Sequence, residues 1–264
     1  MKFYKFGKSM WESGKIPPGI QLYTVKDEFK ENTVGTLKTL AEMGHKTVEF
    51  AGYNNIPSSL MAKYLQQFGL KAPASHVLLE NLKKNLKKEI QYAKEVGIQY
   101  IVIPTVSKDT FYDQKKYQEL ITSIERIAKQ LKHHHIQLIY HNHAHEFEQL
   151  SSGEFVLDRF IRDVGSNLIQ LELDLYWVKK MGLDPIKILQ RYKGNVPLIH
   201  VKDMDKEGKT TELGKGIINY RSILSILCEV GVNYYFIEQE DFKRSPLESA
   251  QLSLEYLHSM LESR

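Results

Sequence analysis

The chain has 264 residues, 42% hydrophobic and 26% charged, a balance that excludes a disordered chain or a low-complexity fibre and allows one sizeable core. Lys and Arg outnumber Asp and Glu only 36 to 32 and are spread along the length, so neither nucleic acid nor an anionic membrane is expected as a partner, and a small molecule is. The lone Cys228 cannot close an internal disulfide, and no apolar run nears the ~18 residues that a membrane helix needs. The first eight residues include three lysines but no apolar segment follows them, so a cytoplasmic location is expected.

Residues 1–18 read as an irregular lead-in. Beyond them, short apolar or β-branched runs alternate with segments of helical period. The predicted strands are Gly19 to Tyr23, Thr47 to Phe50, Lys71 to Ser75, Tyr100 to Ile103, Gln137 to His141, Ile169 to Leu173, Pro197 to Val201 and Tyr234 to Glu238. Each is as brief as a buried parallel strand should be. The segments between them carry apolar residues at helical spacing, such as Ile121, Ile124, Ile127, Ala128 and Leu131, with charges on the other faces. Gly44, Gly69, Gly97 and Gly231 fall between a predicted helix and the next strand, where a left-handed cap is wanted. Eight such units in about 250 residues predict an α/β fold, a single-domain (β/α)8 TIM barrel over residues 19–264. Gly214-Lys215-Gly216 lacks dinucleotide-binding and P-loop spacing, and is expected to be a mobile loop near an anionic or hydroxylated ligand.

In such a barrel, chemistry sits where strands run out into the following loops. Predicted strand five runs into His141-Asn142-His143-Ala144-His145-Glu146-Phe147, strand six ends in Glu172-Leu173-Asp174, strand seven in His200-Val201-Lys202-Asp203, and strand eight in Glu238-Gln239-Glu240-Asp241. Glu146, Asp174, His200 and Glu238 lie about one βα unit apart and are expected to converge at one mouth. Three carboxylates and an imidazole make a mainly oxygen site suited to Mn²⁺, Mg²⁺, Co²⁺ or Zn²⁺. A cation would also relieve the repulsion between the acids.

These motifs, together with Gly19-Ile20-Gln21-Leu22-Tyr23-Thr24-Val25-Lys26-Asp27, Tyr140-His141-Asn142-His143 and Asp174-Leu175-Tyr176-Trp177, resemble the sugar phosphate isomerase/epimerase family, the xylose isomerase-like TIM barrels. The resemblance runs from about residue 19 to the C-terminus. It implies a divalent metal held by Glu146, Asp174, His200 and Glu238, and a keto-sugar or sugar derivative as substrate. Catalysis would be epimerisation or isomerisation by glutamate-mediated proton transfer through a metal-stabilised enediolate, with Glu146 and Glu238 as an acid–base pair on opposite faces of the sugar. The pair favours epimerisation, since inversion needs groups on both faces. His76, His143 and Lys202 are candidates to hold hydroxyls or developing charge, and Trp177, Tyr23 and Phe147 offer flat apolar surface. Other branches of the superfamily place their glutamate nearer strand five, about where His141 or Asn142 stands, so His141 or His143 is an alternative ligand. Glu146 is preferred, because without it the pair loses a member. A homodimer is compatible with the resemblance.

Plainer roles compete at several positions. His133-His134-His135 is expected to be a solvated helix end at the barrel floor, and the Lys83-Lys84 and Lys87-Lys88 run the wet face of a helix. His76 as a loop cap, Trp177 as packing and Lys202 with Asp203 as a local ion pair are the ordinary alternatives. Three other functions fit parts of the pattern: an inosose-type keto-polyol dehydratase on the same site, a sugar-binding barrel without turnover, and a hydrolase of the apurinic endonuclease kind. The last needs more metal ligands on strands two and three, where only Glu49 and His76 are available. The arginines considered for the site, Arg159, Arg162, Arg191 and Arg221, all fall in predicted helices, which disfavours a phosphorylated substrate.

Overall fold

The computed structural model describes residues 17–262, so the expected lead-in lies outside the described residues except for its last two positions. Eight parallel strands close a barrel in the order β1-β10-β7-β6-β5-β4-β3-β2. They are β1 (Gly19–Gln21), β2 (Thr47–Phe50), β3 (Lys71–His76), β4 (Tyr100–Ile103), β5 (Gln137–His141), β6 (Ile169–Asp174), β7 (Leu198–Val201) and β10 (Tyr234–Ile237). A short antiparallel pair, β8 (Asp203–Met204) with β9 (Thr210–Thr211), stands in the loop after β7. Helices connect successive barrel strands on the outside. The expected TIM barrel is the fold observed, and β2, β4 and β5 keep their predicted bounds. The hairpin was not foreseen, because each arm is two residues long and carries no alternating pattern to read.

Gly44, Gly69, Gly97 and Gly231 cap their helices with left-handed backbone, a conformation that costs glycine least. The main core lies between strands and helices and includes Leu37, Leu40, Ile124, Leu131, Phe160 and Leu254. A second, smaller cluster, Ala74, Val102, Ile139, Leu198 and Phe236, fills the barrel itself.

Strand side chains alternate inward and outward, so two residues beyond each of these interior positions the chain again points inward. Beyond Ala74, Ile139, Leu198 and Phe236 the step reaches His76, His141, His200 and Glu238. The interior thus changes from an apolar floor to an ionisable upper layer within one repeat of the strand period. Glu172, Asp174, Glu49 and Gln21 complete that layer, all fully buried.

Candidate metal centre

The upper layer holds carboxylates, imidazoles and one ammonium in contact. Register places Asp174 beside His200 across β6 and β7, and His141 beside Glu172 across β5 and β6. His200 turns Nδ1 to Glu238 Oε2 at 3.0 Å and Nε2 to Glu49 Oε2 at 2.7 Å. His141 turns Nδ1 to Glu172 Oε2 at 3.1 Å and Nε2 toward Asp174 Oδ2 at 4.0 Å. Glu172 Oε2 also meets His76 Nε2 at 2.8 Å. Gln21 donates through Nε2 to Glu49 at 2.8 Å.

Ligand atoms of His141, Asp174, His200 and Glu238 all lie within 4.8 Å of one another, as do those of His76, His141, Glu172 and His200. The first group is the better fit to a cation. One Asp174 oxygen, Oδ1, accepts from the backbone N–H of Tyr176 at 2.9 Å and of Trp177 at 3.3 Å, capping the helix Leu175–Lys180. The other, Oδ2, is buried without a hydrogen bond, its charge answered by Lys202 Nζ at 3.5 Å, so a closer cation would stabilise it further. His141 and Glu238 also line the open cleft. On the far side of the two rings, Glu49 and Glu172 hold the outward nitrogens, the carboxylate–histidine support that orients metal-ligating imidazoles. One oxygen of each of these glutamates, Oε1, also makes no hydrogen bond.

Burial and the crowding of charge set the protonation states. Burial and Glu172 push Glu49 up to about 7. Burial and Glu238 push Asp174 up to about 6, against Lys202. At Glu238 burial works against the anion, but Lys202 and His200 overcome it and hold the carboxyl well below its ordinary range. His200 is opposed by burial too, yet Glu172 and Glu238 raise it well above the ordinary histidine. Burial lowers His141 to about 3 and, with Lys202, His143 to about 4. A neutral imidazole is what metal ligation asks for; His141 meets this, whereas His200 is held protonated by its carboxylates and would give up that proton to an ion.

Lys202 is buried, with Nζ 3.1 Å from Glu238 Oε2 and 3.5 Å from Asp174 Oδ2, and it also pairs with Glu240. Its backbone is clamped by Tyr220, whose hydroxyl accepts from the Lys202 N–H at 2.7 Å and donates to its carbonyl at 2.9 Å. The Lys202–Asp203 pair, the plainer alternative for these residues, does not form. Asp203 instead accepts four backbone N–H bonds, from Met204, Gly214, Gly216 and Ile218 at 2.8 to 3.1 Å. The glycine-rich loop therefore cradles the protein's own carboxylate, which corrects the expectation of a mobile ligand loop. A Cβ on Gly216 would collide with that carboxylate and with the Met204 carbonyl.

The structure does not bring Glu146 to this group. Tyr140 faces outward from β5 into Phe111 and Phe160, and Glu146 follows it. Glu146 accepts from the Tyr140 hydroxyl at 2.6 Å and from the His143 N–H at 2.9 Å, with His145 Nε2 at 3.2 Å. His141, kept open as an alternative ligand, occupies the interior position. His143 lies at the cleft wall with its ring centre 5.4 Å from that of Trp177, and Trp177 Nε1 is unpaired. Tyr23 stands at the cleft rim, 43% exposed. His76 lines the cleft and reaches into the cluster, beyond a capping role. Phe147 is buried in the core and is no ligand surface. His133 ends the helix Gln114–His133 on the opposite face, where it is exposed.

The profile of the family described as xylose isomerase-like TIM barrel matches residues 19–260. The chain belongs to that family. Among its relatives is an inosose dehydratase of Geobacillus kaustophilus, 22% identical, the match covering 89% of each chain. Among solved structures the fold is shared with a sugar phosphate isomerase/epimerase from Parabacteroides distasonis, at a TM-score of 0.79 and 22% identity over 92% of this chain and 94% of that one. It is shared also with a probable 3-DHS dehydratase from Bacillus anthracis, at 0.74 and 13% over 92% and 99%. Among the described residues no helix is long and apolar enough to cross a membrane.

Proposed function

We propose that the chain is a divalent-metal-dependent enzyme that removes the proton beside the carbonyl of a keto-sugar or keto-polyol and expels water from the neighbouring carbon. The ion's place is among His141, Asp174, His200 and Glu238. Two nitrogen and two oxygen donors suit Mn²⁺, Co²⁺ or Zn²⁺ better than Mg²⁺. A bound ion supplies Lewis acidity that polarises the carbonyl and acidifies the adjacent C–H.

The observation that carries the reading is the one-sided placement of the acids. At this end of the cleft the lining carboxylates are Glu238 and Glu240, and both contact Lys202. The facing wall offers the imidazoles of His141 and His143, while Glu146 is turned away. The two-glutamate arrangement that inversion asks for is therefore not supported, and a one-base reaction is. Glu238, held as the anion, accepts the carbon-bound proton. Lys202, held as the ammonium, gives its proton to the departing hydroxide, which leaves as water. The 3.1 Å contact between the two then returns the proton from the carboxyl to the amine. The water-losing inosose dehydratase among the relatives supports this outcome. One-sided acids equally serve an aldose–ketose isomerisation, in which a single group lifts and returns the proton, and this is the second reading.

Incubation with inosose and a set of ketoses in D₂O, with each metal added in turn, decides the matter by NMR. Metal-dependent loss of the C–H signal with an unsaturated or diketo product is expected, and Glu238→Gln should abolish it. Exchange with an isomeric product selects the second reading. No exchange on any compound, with bound metal demonstrated, overturns both.

A further inference from the structure

The cleft is much longer than its metal end. It encloses about 960 Å³, near the top of the roughly 300–1,000 Å³ range of sites that take drug-sized ligands, and one sugar ring fills a fraction of it. From His76 it runs away from the cluster between the loops after β2 and β3, reaching the helix Leu79–Val96.

This arm has a consistent chemistry. Tyr53 and Tyr92 stack with ring centres 3.7 Å apart and planes 18° from parallel. The stack is fixed from behind, since Ser75 donates to the Tyr53 hydroxyl at 3.0 Å and the Tyr92 hydroxyl donates to the Ile56 carbonyl at 3.3 Å. Leu78, 54% exposed, extends the apolar surface at the rim. Beside these lie the exposed amides of Asn55 and Asn81 and the half-buried carboxylate of Glu89. Lys202, at the other end and already paired with carboxylates, is the only Lys or Arg that lines the cleft among the described residues. Among the described residues the arm therefore has no Lys or Arg for a phosphate or carboxylate, and Glu89 repels one.

We propose that this arm is a subsite for the second ring of an uncharged, two-ring sugar such as a glycoside, whose first ring sits at the metal end. Flat aromatic and aliphatic surface takes the C–H face of a ring, and amide and carboxylate groups take its hydroxyls. The proposal rests on the metal end being where the substrate's reacting ring binds. It concerns binding alone, so it is tested without turnover.

Calorimetric titration of the Mn²⁺-loaded protein compares glucose, galactose and myo-inositol with cellobiose, maltose and lactose. At least one two-ring sugar is expected to bind tighter than every single-ring one, by about tenfold or more. Asn81→Trp and, separately, Leu78→Trp each fill the arm from an exposed position and should bring that ratio close to one, with the circular dichroism of the variants unchanged. Equal affinity for one and two rings across the panel overturns the proposal, as does a ratio that survives both substitutions. A two-ring preference without proton exchange in the NMR experiment would leave the subsite standing and remove the proposed reaction. Exchange without the preference would do the reverse.

Discussion

Two histidine-rich stretches flank β5, and they have opposite fates. His133, His134 and His135 precede the strand, where the helix Gln114–His133 ends at the barrel floor, and His133 and His135 are exposed. His141, His143 and His145 follow it or end it, and His141 enters the buried cluster. The residue type is the same and the sequence separation is small. What differs is the polarity of the strand between them, because in a parallel barrel only the C-terminal ends open onto the site. Strand parity then selects within the second stretch: His141 points in with His200 and Asp174, while Tyr140 points out and takes Glu146 with it.

The strongest test removes a ligand from the upper stretch or its partners. His141→Ala or Asp174→Asn should weaken metal binding by about two to three powers of ten, taking a typical site's binding energy as shared over four ligands. Glu146→Gln should leave metal affinity within about twofold, and calorimetry of the three variants separates this assignment from one with Glu146 as ligand. A smaller loss is expected one layer out. Glu172→Gln removes the anion that orients His141, His76 and His200, and should cost about 10- to 100-fold in metal affinity.

His45 represents a third environment, buried at 1% exposure with neither ring nitrogen hydrogen-bonded. Burial, aided by His258, lowers it to about 3, whereas in the unfolded chain it titrates near 6.5. Between those values the unfolded state holds more protons, so stability is complete above about 6.5 and falls as the pH drops toward 3, by up to about 1.4 kcal/mol per pH unit. His45→Phe should flatten that acid limb in urea titrations at pH 4 and pH 7. An unaltered slope would mean that the ring is protonated in the fold. The smallest effect belongs to the floor: His133→Ala and His134→Ala should change stability by no more than about 0.5 kcal/mol and leave metal binding as it was.

Most of the barrel is legible along the chain because short apolar or β-branched runs alternate with segments of helical period, four of which end in a left-handed glycine. Three centre residues, Asp174, His200 and Glu238, were legible for the same reason, since each lies at the C-terminal end of a strand or just past it. His141 was legible too, had the two-residue step from Ile139 been followed as it runs from Leu198 to His200 and from Phe236 to Glu238. Glu146 prevailed on chemical role instead, and role carries no information about which face of a strand a side chain leaves. Glu49 and Glu172 were harder to see: an acid in an apolar run reads as an isolated charge until register shows what it supports. The Asp203 cradle had little local signal, since three of its four donors lie 11 to 15 residues downstream.

That cradle sets how the site meets a ligand. Segments that order only on ligand arrival subtract their lost freedom from affinity. Here the stretch from Asp203 to Ile218 is fastened at four amides to a buried anion beforehand, so its loss of freedom occurs during folding. The β7 wall should thus present the same shape to an incoming molecule as to one already seated, and Lys202, the residue next to the anchor, should need no rearrangement to act.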